Sequence, residues 1–186
     1  RGEAERRNLC MIAGNSLMDR NGPAALRLSI DEAVARSSRL IGRWHGRGRA
    51  LYAVTPRYAP ACSPAMLKAC ATLWHIRDGI VLQSHLSETA AEVAWARKLF
   101  PKARSYFDIY ERHGLAGPGA IYGHGIHLSE DERARLHATG TALAHCPTSN
   151  AFLGSGLFDI GKAKRPKRPV KVGLATDIGA GTSFSM

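Results

Sequence analysis

The sequence predicts an α/β fold, with parallel strands and helices arranged as in a (β/α)8 barrel. Six short apolar runs have the character of β-strands, helical or loop-rich sequence separates each run from the next, and nearly every run ends in polar residues. Such alternation favours parallel strands joined by right-handed crossovers. An open sheet gathers its chemistry at one crevice, whereas a barrel uses the ends of almost all its strands. The polar strand ends therefore favour the barrel.

The elements follow from hydrophobic spacing and from turn residues. The predicted strands are residues 9–13, 51–54, 80–82, 120–122, 142–144 and 170–175. The predicted helices are residues 3–9, 22–46, 63–78, 89–100, 105–113 and 129–140. Ser63 before Pro64, and Ser129 three residues before Glu132, are helix-start signals. Residues 15–19 are predicted as a polar loop, and residues 151–169 as loop-rich with one helical turn near Leu157.

Six strands do not close an eight-stranded barrel. We expect the third to eighth strands in a single partial domain, residues 1–186, with no second domain in this chain. No apolar run approaches the roughly 20 residues that a membrane span needs, and the charged start lacks the apolar stretch of a signal peptide. The four cysteines show no C-x-x-C spacing, which favours reduced thiols. These observations predict a cytoplasmic protein with no membrane partner.

The formal net charge is +11, with a pI near 10.0. Such a balance can indicate an acidic partner such as nucleic acid. The one dense basic run, residues 162–168, has no interleaved aromatic residue that could stack on bases. We therefore expect a solvated basic loop and consider a nucleic-acid partner unlikely. A non-catalytic nucleic-acid-binding piece remains the alternative from another functional class.

His85 and Glu88 form the first candidate site. The apolar run 80–82 is followed by His85 and, three residues later, by Glu88, so that a metal ligand and a proton shuttle can share one loop. A carboxylate beside a metal-bound water can take up its proton and return it to a leaving amine. The alternatives are a core histidine bonded to the backbone and a glutamate favoured by the helix dipole.

Two further strand ends carry candidate residues. His124 lies between Gly123 and Gly125, where missing side chains let backbone or substrate approach; the alternative is a packing constraint at a tight turn. Asp177 directly follows a strand that we expect to be buried, so its charge needs a partner, and a cation is the obvious one. The alternative for Asp177 is a cap for the turn before Gly179.

Arg57 follows another strand, and its planar fork suits the oxygen and nitrogen of a heterocycle. A surface salt bridge is the competing interpretation of Arg57. His145 and Asn150 are weaker candidates, because shaping a loop is an alternative role for their segment. The remaining histidines are expected on solvated or helical faces.

Five motifs together resemble the amidohydrolase superfamily, and more closely its guanine-deaminating branch. In chain order they are Thr55-Pro56-Arg57-Tyr58, Gln83-Ser84-His85-Leu86-Ser87-Glu88, Gly123-His124-Gly125, His145-Cys146-Pro147-Thr148-Ser149-Asn150 and Thr176-Asp177-Ile178-Gly179. The resemblance covers nearly the whole chain, and the order and spacing of the motifs are more specific than any one of them.

The resemblance implies one zinc ion in a (β/α)8 barrel that hydrolyses guanine to xanthine and ammonia. His85 from the fifth strand and Asp177 from the eighth would be zinc ligands, with Asp177 also catalytic. His124 from the sixth strand would orient the attacking hydroxide, and Glu88 would protonate the purine ring and help ammonia leave. Arg57 and Tyr58 would contact the purine, with His85 and Glu88 also lining the substrate site; phenylalanine is common at the position of Tyr58, so stacking survives the change.

One part of the family pattern is missing. Members carry a His-x-His pair on the first strand, which supplies two more zinc ligands, and this sequence contains no His-x-His. We therefore expect the chain to be a fragment that alone binds zinc weakly and turns over little substrate. The alternative within the superfamily is a deaminase for another nucleobase, a nucleoside or a triazine. A homodimer of the full-length protein is also possible on this resemblance.

Overall fold

We describe a computed structural model of the chain over residues 2–185; Arg1 and Met186, the ends of the predicted domain, lie outside the described residues. The fold is α/β, as predicted. The described chain forms two compact units. The first contains the residues up to Gln83 together with His113–Leu115, and the second contains Ser84–Arg112 together with residues from Ala116 onward. The prediction of one partial barrel domain over residues 1–186 stays a prediction.

The first unit consists of parallel strands with helices between them. Its elements are α1 (Gly2–Arg6), β1 (Met11–Ala13), β2 (Ser16–Leu17), α2 (Ile30–Trp44), β3 (Ala50–Pro56), α3 (Pro64–Trp74) and the first half of β4 (Val81–Leu86), with 3-10 turns at Ala24–Leu26 and Ala59–Ala61. β1 and β2 both run parallel to β3, one after the other, and β3 pairs in parallel with the start of β4. β1 and β2 thus occupy one strand position, although residues 15–19 were predicted to be only a loop.

The second unit carries the remaining strands. Its elements are the second half of β4, α4 (Ala90–Leu99), α5 (Tyr106–Arg112), β5 (Ala120–His124), α6 (Glu130–Thr139), β6 (Ala142–His145), α7 (Pro147–Phe152), α8 (Ile160–Ala163) and β7 (Lys171–Leu174). The strand order is β4, β5, β6, β7, so each strand lies beside the next one in the chain. β5, β6 and β7 pair in parallel, as helical crossovers require. The expectation that the strand before Asp177 is buried is wrong: the residues of β7 are mostly exposed, and Leu174 is 68% exposed.

Capping residues set the helix starts. Ser129 and Glu132 form the predicted capping box of α6, and the Ser63 side chain accepts the Met66 N–H at the start of α3. The predicted start of α2 is wrong. The helix begins at Ile30, where Ser29 and Glu32 form a second capping box, rather than at Gly22. The hydrophobic spacing before Ile30 belongs to the 3-10 turn, because a good cap outweighs periodicity in placing a helix end.

The second unit also differs from the prediction in its loops. The helical turn expected near Leu157 lies at α8, capped by Asp159, and the Leu157 side chain is 90% exposed. The polar tract after β6 is helical rather than a loop, because Pro147 stands in the first turn of α7, where its missing N–H is not needed. No helix in the described part of the chain is long and apolar enough to cross a membrane.

The predicted strand 80–82 is too short. β4 runs on to Leu86, with Leu82, Ser84 and Leu86 buried and the residues between them more accessible. His85 therefore lies within a strand, on its more accessible face, rather than in a loop. The prediction ended the strand at Leu82 because the next three residues, Gln83, Ser84 and His85, are polar. A strand alternates buried and accessible positions, and the buried residue at position 84 is a serine rather than a hydrophobic residue.

Buried aromatic rings support β5. Tyr122 packs edge-on against Phe107 of α5 with ring centroids 6.1 Å apart, and it lies 4.6 Å from the ring of Tyr110. All three side chains are fully buried. Edge-to-face pairs of this kind add a defined geometry to the burial of apolar area. They fix α5 against the strand that ends in His124.

Candidate active site

Three strand ends of the second unit converge on one point. His85 near the end of β4, His124 at the end of β5 and Asp177 after β7 each offer one ligand atom, and these atoms lie within 4.8 Å of one another. Parallel strands bring their carboxyl ends to one edge, which explains how residues more than 90 positions apart meet. Sequence reasoning selected His85 and Asp177 as metal ligands, and the geometry adds His124 to the same group. Their individual roles stay predictions.

His124 is the buried centre of this group. Its side chain is 1% exposed, and its Nε2 lies 3.5 Å from Glu88 Oε2 and 3.8 Å from Asp177 Oδ2. Its Nδ1 lies 2.9 Å from Asn150 Oδ1. An amide oxygen only accepts hydrogen bonds, so His124 Nδ1 carries a hydrogen and donates a hydrogen bond to Asn150 Oδ1. In the neutral ring, Nε2 then presents a lone pair toward two carboxylates, an arrangement that a cation relieves.

Asp177 is oriented by Ser149, whose Oγ donates to Asp177 Oδ2 at 2.7 Å. The turn that follows is closed by the backbone carbonyl of Asp177, which accepts the N–H groups of Ala180 and Gly181. Gly181 is required there, because a Cβ would lie 1.9 Å from the Thr176 carbonyl oxygen. The backbone carbonyl of Asp177, and not its side chain, therefore closes this turn. The Asp177 carboxylate remains available to the site.

Glu88 stands just before α4, whose N-cap is Thr89. One carboxylate oxygen accepts the hydroxyl of Ser155 at 3.2 Å, while the other faces His124. The side chain of Glu88 is 22% exposed, so it can exchange protons with a substrate or with solvent. Its position outside the first turn weakens the interpretation that Glu88 serves the helix dipole alone.

Three non-glycine residues at the site have left-handed backbone conformations. The φ angles are 51° at Ser87, 69° at His124 and 49° at Asp177. Such conformations cost about 1–3 kcal/mol each and persist where surrounding structure holds them. The carbonyl of Ser87 accepts the N–H groups of Ile126 and His127, which ties the β4 end to the β5 end. His124 and Asp177 place their own side chains in the site, and Ser87 lies directly before Glu88.

Of the two glycines beside His124, Gly125 is the one that the turn requires. Gly125 has a φ of 63°, and a Cβ at this position would come within 3.0 Å of Leu143 Cδ2. The N–H of Gly125 donates to the carbonyl of Leu86 at 2.8 Å. Tight packing against Leu143 therefore explains the glycine at position 125. The same turn orients the His124 side chain toward the other ligand atoms.

His145 lies outside the group of ligand atoms. Its ring stacks on Phe158 with centroids 4.7 Å apart, and burial lowers the pKa of His145. Burial also raises the pKa of the neighbouring Cys146 thiol to about 11, so this cysteine is protonated and a poor nucleophile at neutral pH. Asn150, predicted only weakly, does contact the site through His124.

Arg57 and Tyr58 belong to the first unit and directly follow β3. Arg57 is exposed, and its backbone N–H donates to the Leu17 carbonyl at 3.0 Å. Tyr58 precedes the 3-10 turn Ala59–Ala61. Their expected contacts with a purine stay predictions.

Sequence reasoning missed Ser149 and Ser155, which hydrogen-bond to Asp177 and Glu88. Ser155 stands in a Gly-Ser-Gly tract that reads only as a turn, and its partner lies 67 residues away. Only the fold shows that Ser155 points into the site, where it is 5% exposed.

The donor set suits zinc. Two imidazoles and a carboxylate within 4.8 Å supply the nitrogen and oxygen ligands that Zn²⁺ prefers. The bond from His124 to Asn150 is the kind of outer hydrogen bond that fixes the tautomer of a metal-binding histidine. The residues present in this unit therefore fit part of a zinc site.

Comparison with known proteins agrees with this chemistry. A model described as the amidohydrolase family matches residues 3–186. Guanine deaminase of Escherichia coli (strain K12) is 45% identical over 179 residues, 96% of this chain and 40% of that protein. A solved structure of E. coli guanine deaminase superposes with a TM-score of 0.95 at 43% identity, covering 98% of this chain and 43% of that one. The chain thus spans about 40% of the length of this relative.

Two other solved structures carry bound groups. Guanine deaminase from C. acetobutylicum, with guanine bound in its active site, superposes with a TM-score of 0.83 at 30% identity, over 89% of this chain and 39% of that one. An adenosine deaminase from Xanthomonas campestris with bound zinc superposes with a TM-score of 0.85 at 25% identity, over 97% of this chain and 39% of that one.

Proposed function

Because this chain belongs to the amidohydrolase family, we propose that it forms part of a zinc-dependent enzyme that deaminates guanine to xanthine and ammonia. The observation that carries the proposal is the convergence of His85, His124, Asp177 and Glu88 within one compact unit. The 45% identity to E. coli guanine deaminase supports guanine as the substrate.

His85 and Asp177 would hold the zinc ion, with His124 close enough to join them. Two further ligands would come from a His-x-His pair outside these 186 residues, because the chain itself contains none. When bound, zinc lowers the pKa of a water molecule to about 7 and so supplies a nucleophile at neutral pH.

Glu88 would move the protons of the reaction. It would take one proton from the attacking water and pass it to the ring nitrogen beside the attacked carbon. It would then take the second proton from the hydroxyl bound to that carbon, which becomes the carbonyl of xanthine, and pass this proton to the departing amine. The distance of 3.5 Å between Glu88 Oε2 and His124 Nε2 supports this role, since both groups can reach one water molecule. His124 would orient that water, with its own ring fixed by Asn150.

Arg57 and Tyr58 would recognise the purine. The planar guanidinium of Arg57 can donate two parallel hydrogen bonds to a carbonyl oxygen and a ring nitrogen, and Tyr58 can stack on a ring. Arg57→Ala is expected to lower guanine turnover more than turnover of purines that lack the 6-oxo group. Equal losses on all purines would contradict substrate recognition by Arg57.

Ammonia release from guanine tests the proposal most directly. We expect the whole protein to turn over guanine and Glu88→Gln to lower kcat by about 10²–10⁴-fold, the usual contribution of general acid–base catalysis. Glu130→Gln is a matched control, because Glu130 lies on the exposed face of α6 and pairs with Arg133. Absence of guanine turnover in the whole protein, or full activity in Glu88→Gln, would contradict the proposal.

The isolated chain should behave differently from the whole protein. With two predicted ligands instead of four, it should bind zinc weakly and release little or no ammonia. Zinc content and guanine turnover measured for this chain, and for a version extended at its N-terminus, test this expectation. Full activity of the short form would show that the additional ligands are not needed.

A deaminase for a related ring is the second candidate. The similarity in fold to an adenosine deaminase with bound zinc favours including nucleosides in a substrate panel, together with cytosine and triazines. Faster turnover of any of these than of guanine would reassign the substrate while keeping the chemistry. A cytoplasmic location and a homodimer of the whole protein remain part of the proposal, to be tested by fractionation and by sedimentation.

A further inference from the structure

Glu92 lies outside the group of ligand atoms, yet it contacts the backbone of the proposed proton shuttle. Its Oε2 accepts the N–H of Glu88 at 3.0 Å, and its Oε1 accepts the hydroxyl of Tyr106. Burial raises the pKa of the Glu92 carboxyl and also that of the Tyr106 hydroxyl. A half-buried carboxylate is costly unless it is hydrogen-bonded, and both oxygens of Glu92 accept hydrogen bonds here.

Helix α5, which carries Tyr106, also contacts the backbone of His85, three residues before Glu88. Tyr110, one turn after Tyr106 on α5, donates its hydroxyl proton to the carbonyl of His85 at 2.8 Å, and its hydroxyl lies 3.1 Å from Ser84 Oγ. The rings of Tyr106 and Tyr110 stack with centroids 5.9 Å apart. α5 is thus connected directly to the His85 backbone and, through Glu92, to the Glu88 backbone.

The backbone between these anchors needs such support. Ser87 stands in a left-handed conformation, and β4 ends at Leu86, so Glu88 lies beyond the ladder of the sheet. Its carboxylate has a hydrogen bond from Ser155 at 3.2 Å, which is longer than a strong bond to a charged acceptor. The position of the Glu88 carboxylate therefore depends mainly on the position of the Glu88 backbone, whose N–H is bound by Glu92.

We propose that Glu92, oriented by Tyr106, is a positioning residue that fixes the Glu88 backbone so that the Glu88 carboxylate stays beside His124. The inference rests on the proposed function, in which Glu88 transfers protons. Proton transfer is sensitive to such placement, since a displacement of about 1 Å can cost on the order of 10²-fold in rate.

A purely structural explanation is that Glu92 caps α4. Thr89 already performs this task, because its side chain accepts the Glu92 N–H at 3.1 Å. A cap would stabilise the helix whatever stands at position 88. A positioning residue matters for catalysis only while Glu88 can transfer a proton, and this difference can be measured.

The test compares Glu92→Ala and Glu92→Gln in the whole protein. We expect Glu92→Ala to lower kcat by about 10–100-fold, as for other residues that orient a catalytic group, with KM nearly unchanged. Glu92→Gln should retain most activity, because its amide oxygen can accept the Glu88 N–H and its amide nitrogen can donate to the Tyr106 oxygen. Equal losses in the two variants would overturn the proposal.

A double-mutant cycle separates positioning from stability. In a Glu88→Gln background, adding Glu92→Ala should change kcat by less than about twofold, because the proton transfer it supports is already lost. The same loss in both backgrounds would show a structural role and overturn the proposal. Glu111→Ala is the matched control, since Glu111 lies on α5 but pairs with Arg135; it should leave kcat unchanged in both backgrounds.

Amide hydrogen exchange provides a readout that does not depend on the substrate. Loss of the Glu92 acceptor should speed exchange at the Glu88 amide by up to about tenfold, the factor expected for one hydrogen bond, whether or not guanine is turned over. Unchanged exchange would overturn the proposal, and missing guanine turnover in the unmodified protein would overturn the proposed function alone. Tyr106→Phe gives the same readout, with a smaller expected change, if Glu92→Ala does not fold.

Discussion

At the scale of single residues, Asn150 determines what His124 can do. Because the Asn150 oxygen accepts from Nδ1, only Nε2 of His124 can face the ligand atoms and the two carboxylates. Outer hydrogen bonds of this kind raise the basicity of the ring and fix its direction. The metal chemistry proposed for the site would thus depend on the side-chain amide of Asn150 on α7.

We expect Asn150→Ala to weaken zinc binding by the second unit about 10–100-fold, because the His124 ring loses its orienting bond. Competition with a chromophoric chelator measures the zinc affinity. Asn15→Ala, in the first unit, is the control and should leave the affinity unchanged. An unaltered zinc affinity in Asn150→Ala would contradict the prediction: either His124 does not bind the metal, or its binding does not depend on Asn150.

Residue chemistry at strand ends was enough to select His85, Glu88, His124 and Asp177 from the sequence. It did not select Ser149 or Ser155, which orient two of these side chains, and it gave Asn150 only as a weaker candidate. Ser155 and Asn150 meet Glu88 and His124 only through the fold, and neither residue type at these positions signals a partner 67 or 26 residues away. Orienting residues are set by tertiary contact, which local patterns do not encode.

At the scale of elements, α5 is held at its start by a charge cluster. The buried carboxylate of Asp108 is paired with Arg104 and with Arg112, each at 2.6 Å, and it also accepts the Arg104 N–H. Burial alone would raise the pKa of Asp108, but these hydrogen bonds outweigh it and lower the pKa from 3.8 to about 2. The ionised form of Asp108 therefore stabilises the folded state.

The lowered pKa of Asp108 predicts a pH dependence of stability. The ionised Asp108 carboxylate contributes at most about 2 kcal/mol to the free energy of unfolding. This contribution is present above pH 4 and is lost as the pH falls toward 2. Asp108→Asn should therefore lose less unfolding free energy than the unmodified chain between pH 4 and pH 2, as measured by urea unfolding. Parallel pH profiles for the two proteins would contradict this assignment.

Element positions were predictable where a signal is local. The caps at Ser63 and Ser129 set α3 and α6 as predicted. β4 was predicted too short because its last four residues include a polar serine that is nevertheless buried, with its Oγ 3.1 Å from the hydroxyl of Tyr110. A buried serine can be recognised only when its partner on another element is known.

At the scale of the whole molecule, the net charge of +11 is spread over many surface residues. In the basic run, Lys162 pairs with Asp159 at 3.2 Å and Arg165 with Glu130 at 3.0 Å, and both pairs are exposed. Exposed pairs of this kind contribute little to stability. The run therefore behaves as a solvated face of α8 and the loop after it.

Neutralising the basic run should leave catalysis intact. We expect replacement of Lys164, Lys167 and Arg168 by glutamine to change guanine turnover by less than about twofold, since exposed charges far from a reaction are weakly coupled to it. The unmodified protein should show no steeply salt-dependent binding to RNA or DNA. Zinc-independent binding that falls steeply with salt, and that the triple variant loses, would instead favour the nucleic-acid-binding alternative.

The order of strands in the second unit has a consequence for biosynthesis. β4, β5, β6 and β7 are neighbours in space and successive in the chain, so each pairing closes only a short loop. As the ribosome extends the chain, His85 and His124 can be brought together well before Asp177 emerges. The proposed zinc site of this unit would therefore be complete only after Asp177 has been synthesised.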